Sequence, residues 1–193
     1  MGGSGLVLAV AATLALALPG SRGGDVIAQA AAAVSGPEVL HTVTVMRGQD
    51  GRAETWRAPD GDQRAVLYDA DGAVVAELVV RDGHYTSWNA ADGAVTRGRD
   101  TSLADDPLTL LGEARAGRPG VTLRADSTVR GIPVHVIALD PTRAGEDPVP
   151  ERLYFVDKET FLPVRIQFGE TVADVLEAET VPRGQAPMTM SAH

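Results

Sequence analysis

The chain reads as an α+β protein dominated by one antiparallel sheet. Three observations carry that expectation. Five Asp-Gly pairs recur every 10 or 11 residues through the first half, from Asp50-Gly51 to Asp92-Gly93. Short runs rich in Val, Ile, Leu and Thr separate them. Only two stretches break the strand rhythm in favour of a helix, one before the sheet and one inserted in it. Asp-Gly between apolar runs is a strong local hairpin signal, because tight primed turns need positive φ at their central residues. Glycine takes that conformation freely and aspartate tolerates it.

The N-terminal helix is expected over residues 25–34. Asp25 offers a capping oxygen, alanine fills the body, and Ser35-Gly36-Pro37 stops it. Strands follow over residues 38–47, 52–58, 63–69, 73–81, 84–89 and 94–97. The fourth is apolar at nearly every position except Glu77, which predicts cover on both faces. Asp105-Asp106-Pro107 then supplies acidic residues and a first-turn proline, so residues 106–115 are expected to form the inserted helix. Residues 121–129 alternate cleanly, and Gly131 turns them into a strand over 132–139. Residues 140–150 are a proline-rich loop. Residues 151–156 and 161–168 form a hairpin, and a last strand covers 171–181. The total is ten or eleven short strands, with residues 183–193 expected to be disordered.

Residues 6–18 (LVLAVAATLALAL) are apolar but for Thr13 and end at Pro19-Gly20-Ser21. At 1.5 Å per residue such a run falls well short of the roughly 30 Å hydrocarbon core. Its length fits the apolar centre of a signal peptide, although no Lys or Arg precedes it. Residues 1–24 are therefore expected to be a signal peptide or an N-terminal membrane anchor, and residues 25–182 one domain.

Composition excludes several functions. The net charge is −9, and Lys158 is the only lysine. An acidic chain without a basic stripe is a poor nucleic-acid binder. The chain has no cysteine, which removes disulfides, thiol catalysis, thiolate metal sites and N-terminal lipidation at cysteine. His41, His84, His135 and His193 lack a metal-ligand spacing. No nucleophile elbow, phosphate loop or dinucleotide fingerprint is present. Glu54, Glu77 and Asp174 lie inside strands and are expected to face solvent. Asp69-Ala70-Asp71-Gly72 lacks the ligand spacing of a calcium loop and reads as a turn. No enzyme chemistry, cofactor or metal is expected.

The most specific stretch is Leu153-Tyr154-Phe155-Val156-Asp157-Lys158-Glu159-Thr160-Phe161-Leu162-Pro163-Val164-Arg165-Ile166. Asp157 can accept backbone amides across the turn, and Pro163 suits an edge or a bulge. The stretch resembles the "strand, Asp-x-x-Thr, Leu-Pro, Arg" hairpin of the LolA-like superfamily, which includes lipoprotein carriers, an envelope-stress sensor and mycobacterial lipid carriers. Residues 127–136 resemble the Gly turn and strand that precede that hairpin. The resemblance covers residues 25–182, and beyond the hairpin it matches in order and length only. It implies an unclosed antiparallel half-barrel with two helices over its concave face. It also implies an apolar cavity for the acyl chain of a lipid or acylated protein, in an exported, extracytoplasmic, non-catalytic module. The alternative it implies is the sensor or regulatory domain of an anti-sigma-type signalling protein, bound to an envelope partner protein. Two departures stand out: there is no lipid-bearing cysteine, and few large side chains are available to line a cavity. By alternation, the inward candidates are Val43, Val45, Val74, Leu78, Leu123, Ile132, Val134 and Ile166, with Leu108 and Leu111 on a lid helix. Alternation leaves which face points inward open.

Overall fold

The computed structural model describes residues 22–99, 120–139 and 151–192. The apolar segment 6–18, the expected lid helix with Leu108 and Leu111, the loop 140–150 and His193 lie outside the described residues.

Helix α1 (Arg22–Val34) precedes twelve strands. The first six are β1 (Val39–Met46), β2 (Arg52–Arg57), β3 (Gln63–Tyr68), β4 (Val74–Arg81), β5 (His84–Asn89) and β6 (Val95–Arg99). The rest are β7 (Val121–Leu123), β8 (Ser127–Val129), β9 (Ile132–Leu139), β10 (Arg152–Asp157), β11 (Pro163–Phe168) and β12 (Thr171–Val181). They form one sheet in the order β6-β5-β4-β3-β2-β1-β12-β11-β10-β9-β7, with β8 also on β9. Every pairing is antiparallel, and the two end strands do not meet, so the sheet is a half-barrel that does not close. The expected strand over 121–129 is instead two three-residue strands, because residues 124–126 leave the ladder.

The Asp-Gly pairs are turns, as their chemistry requires, but only one is a two-residue primed turn. Asp82 and Gly83 both have positive φ (48° and 70°), and Arg81 faces His84 across them. At Asp50-Gly51 the glycine alone is left-handed, and a Cβ there would collide with the carbonyl oxygen of Tyr68. In the longer turns aspartate works through its side chain. Asp69 accepts the amides of Asp71 and Ala73, and Asp92 accepts that of Ala94. Asp157 does the same in the C-terminal hairpin, holding the amides of Glu159 and Thr160 at 2.7 and 2.8 Å. Pro163 falls at a register shift between β10 and β11, where no ladder donor is needed.

Alternation gives the sheet two unlike faces. On one, which we call the helix face, Ala30, Ala31 and Val34 of α1 pack on Leu40, Ile137, Leu139, Tyr154 and Val156. Ala30 and Ala31 are fully buried, since their small side chains let the helix lie close to the strands. On the opposite face, Val39, Trp56, Ala58 and Val66 pack around Met188 from the segment that follows β12. Val129, Val134, Val136, Phe155 and Val164 form a third cluster on that same side.

The tail therefore differs from its expected disorder. A turn from Gln185 N to Pro182 O redirects the chain after β12, and Met188 is buried to 8% exposure. One unbranched apolar side chain in a socket, plus hydrogen bonds to arginines, orders a segment that carries no periodic pattern.

Candidate functional site

The helix face carries a cleft of about 240 Å³ beside α1. Alternate residues of β1 supply Leu40, Thr42 and Thr44, and β12 supplies Ala173 and Val175. Thr55 and Arg57 of β2 and Gln63 of β3 line one side; Tyr154, Pro163 and Ile166 line the other. Arg57 donates from Nη1 to Gln63 Oε1 at 3.4 Å, so the polar residues gather on the β2–β3 side. Thr44 turns its hydroxyl onto the carbonyl of Ala53 at 3.4 Å, which leaves its methyl group as lining. A second cleft of about 260 Å³ lies further along the same strands, with Met46, Ala53 and Leu67 among its walls. The two are contiguous by register. Thr44 faces Ala53 across β1–β2, and Met46 faces Ala173 across β1–β12. Met46 and Leu67 are left exposed at 38% and 44%.

The eight residues singled out by alternation are not brought together. Leu78, Leu123 and Ile166 lie on the helix face. Of these, Ile166 lines the cleft, Leu123 packs in the cluster beneath α1, and Leu78 sits outward on β4 between Ala65 and Ser87. Val43, Val45, Val74, Ile132 and Val134 lie on the other face. Val43 stands between Glu54 and Glu177, and Val45 opposite Asp174. Val74 packs beside the tail's socket. Ile132 and the fully buried Val134 belong to the cluster around Phe155. On β1 the larger aliphatics Leu40 and Met46 share one parity with Thr42 and Thr44. That parity, and not the valine parity, lines the cleft. Threonine hid the face, because its methyl is apolar surface while its hydroxyl reads as polar.

The strand carboxylates expected to face solvent are paired instead. Glu77 is 1% exposed and accepts from Arg64 Nε at 2.7 Å. Glu54 lies 2.9 Å from His41 Nε2 and accepts from Tyr68 Oη at 3.1 Å. The other ring nitrogen of His41 lies 3.1 Å from Glu179, and its ring stacks on Trp56 at 4.9 Å. Burial pushes the Tyr68 hydroxyl above its ordinary value, and the Glu54 hydrogen bond adds to that. Burial also works to raise Asp174, but hydrogen bonds from Arg165 and Arg47 outweigh it and hold the carboxyl below its usual range. These groups tie neighbouring strands together on the face away from the first cleft, and Tyr68 also forms a wall of the second. His135, on the helix face opposite Val156, pairs with Asp126 and stacks on Phe161. Among the described residues no group of three or more His, Asp or Glu side chains could hold a metal ion. No described helix is long and apolar enough to cross a membrane. What the first cleft offers is aliphatic surface with a polar side, and among the described residues no carboxylate lines it, whereas Asp50, Arg52, Tyr68 and Asp69 are among the walls of the second.

By sequence, no family model and no curated protein matches the chain. By structure, it is similar to an uncharacterized conserved protein from Thermus thermophilus. That match has 9% identity and a TM-score of 0.56, and covers 82% of this chain and 86% of the other. It is also similar to MucB, at 21% identity and a TM-score of 0.51, covering 87% of this chain but only 62% of the MucB chain. Mycobacterium tuberculosis lipoprotein LppX matches at 14% identity and a TM-score of 0.49, over 81% of this chain and 92% of the other. A LolA superfamily protein from Nitrosomonas europaea is among the further matches, with a TM-score of 0.36. The fold is an open antiparallel half-barrel with a helix packed on one face, shared with the Thermus thermophilus protein and MucB.

Proposed function

We propose that the protein is an exported, extracytoplasmic, non-catalytic module that holds the acyl chain of a lipid or lipoprotein in the helix-face cleft. Residues 1–24 would serve as its leader or anchor. The observation that carries this reading is the pair of contiguous clefts running from Leu40 to Met46 and Leu67 on an otherwise well-packed sheet. Each is slightly below the roughly 300–1,000 Å³ of a drug-sized ligand site. That suits a single aliphatic chain better than a lipid with several. The Arg57 and Gln63 side suits the polar end of such a chain.

Each methylene that leaves water contributes about 0.8 kcal/mol. Affinity for a series of free fatty acids should therefore rise about fourfold per added carbon, and level off once the clefts are full. The test is native mass spectrometry of protein purified without detergent, followed by titration with that series. Added masses that vanish on organic extraction are expected. Ala173→Trp should abolish them, because Ala173 sits between Ile166 and Met46 at the junction of the clefts, and an aromatic residue is well tolerated in a strand. A bare protein mass with no uptake of added fatty acid or phospholipid would overturn the reading, in favour of a module that contacts a partner protein.

A further inference from the structure

The face opposite the cleft holds a second built arrangement. Arg64 on β3 and Glu77 on β4 form a buried ion pair, with side chains 11% and 0% exposed. Desolvating two charges is repaid only when further hydrogen bonds engage them. Here those bonds go to one peptide segment. Arg64 donates from Nη1 to the carbonyl of Pro187 at 3.2 Å, and from Nη2 to Ser191 Oγ at 3.0 Å. The amide of Ser191 donates to Glu77 Oε1 at 3.0 Å. Arg81 donates to the carbonyl of Met188 at 3.3 Å. Between these contacts Met188 enters the socket of Val39, Trp56, Ala58 and Val66, where the guanidinium of Arg64 lies 5.1 Å from the Trp56 ring centre. Residues 184–191 carry no charge, and Arg183 ahead of them binds Asp60 and Asp62 in the β2–β3 turn.

Charged side chains that read backbone carbonyls and an amide, around one apolar socket, are the parts of a peptide-recognition site. The segment adds no strand to the sheet. The backbone hydrogen bonds of residues 185–188 run within the segment itself. We propose that this face is a binding site for a turned polypeptide segment that is uncharged behind a leading arginine, with one methionine-sized anchor and a small hydroxyl residue three positions after it. Residues 183–192 are its resident intramolecular occupant. The site is independent of the acyl-chain reading, because it lies on the other side of the sheet.

A tethered occupant acts at an effective concentration on the order of millimolar, so a segment supplied in trans competes poorly until the tether is weakened. The experiment uses the full chain carrying Met188→Asp, whose charge cannot enter the socket. Hydrogen exchange should rise across residues 185–192 and stay low in β1 to β4. A synthetic peptide of residues 183–192 should then bind saturably, read by the emission of Trp56 and Trp88, both on the clamp's face of the sheet. It should bind the unmodified chain at least roughly tenfold more weakly, and lose roughly tenfold in affinity when the peptide carries Met188→Ala. Three results would overturn the proposal: no saturable binding to the variant, binding indifferent to the peptide's methionine, or collapse of protection in β1 to β4. The last would make the tail a fixed part of the core.

Discussion

Glu77→Gln tests the energetics of the outer face most directly. The substitution keeps the side-chain volume and one acceptor oxygen, and removes the charge opposite Arg64. Both side chains lie out of water, at 0% and 11% exposure, with 2.7 Å between Nε and Oε1. Removing one partner of such a pair costs about 3–5 kcal/mol, because the remaining charge stays buried without its counter-charge. The retained acceptor places the expected loss near the lower figure, about 3 kcal/mol. For a chain of this size that lowers the melting temperature by about 6–12 °C. It would take a large share of a total stability of about 5–15 kcal/mol.

The double variant Arg64→Met/Glu77→Leu should be less damaged than Glu77→Gln alone, since replacing both partners by apolar groups is often near neutral. It will not recover fully. Losing the Arg64 bonds to Pro187 and Ser191 costs about 1 kcal/mol each. Urea unfolding of both variants, followed by far-UV circular dichroism, gives the comparison, with an unchanged slope confirming that stability alone has moved. If Glu77→Gln lost less than about 1 kcal/mol, or the double variant proved the weaker, the pair would not be the desolvated interaction that its burial indicates.

Val134→Asp should abolish the cooperative urea transition rather than spare the fold, because Val134 is fully buried among Val129, Val136, Phe155 and Val164 and an unpaired carboxylate there has no partner; a normally folded variant would refute that placement. Acid should destabilise the protein through Asp174. Its folded-state pKa is depressed, so its stabilising contribution is present above the ordinary carboxylate value of about 3.9 and is lost as pH falls through the lower folded value. Asp60 beside Arg183 shifts the same way. Asp174→Asn should flatten the fall in melting temperature between about pH 5 and pH 3, and an unaltered profile would count against the assignment.

Much of the fold was legible because its punctuation is local. Asp-Gly turns and the Asp157 turn are written in two to four consecutive residues, and they placed most strand ends within a residue or two. The choice of face was not legible, since a period of two has no sign. On β1 both parities are apolar: Val39, Val43 and Val45 against Leu40 and Met46. The physical reason is that both faces are partly covered, one by α1 and the other by the tail. Glu77 was misjudged as solvent-facing because its partner is 13 residues away, diagonally across the β3–β4 ladder, where Arg64 faces Val79 and Glu77 faces Val66. The tail gave no signal at all, because a single methionine anchor has no period.

The same alternation that hid the cleft also places its polar side next to the tail's clamp. Arg57 and Gln63 line the cleft, while their chain neighbours Trp56 and Arg64 form the socket and clamp on the opposite side. Successive strand residues point to opposite faces, so one hairpin serves two surfaces, and only at its far end does Tyr68 belong to both the second cleft and the socket's surround. That arrangement accounts for a sequence such as Thr55-Trp56-Arg57, which by pattern is an ordinary polar hairpin strand. It also sets what the two proposed occupants have in common. Neither the chain in the cleft nor the segment in the socket touches the other, yet each packs on β2, and Gln63 and Arg64 give each a contact on β3. The strands common to both surfaces include β1, with Val39 in the socket and Leu40 in the cleft, and the β2–β3 pair from Arg52–Tyr68 to Arg57–Gln63, so an effect of one occupant on the other has these three strands as a route.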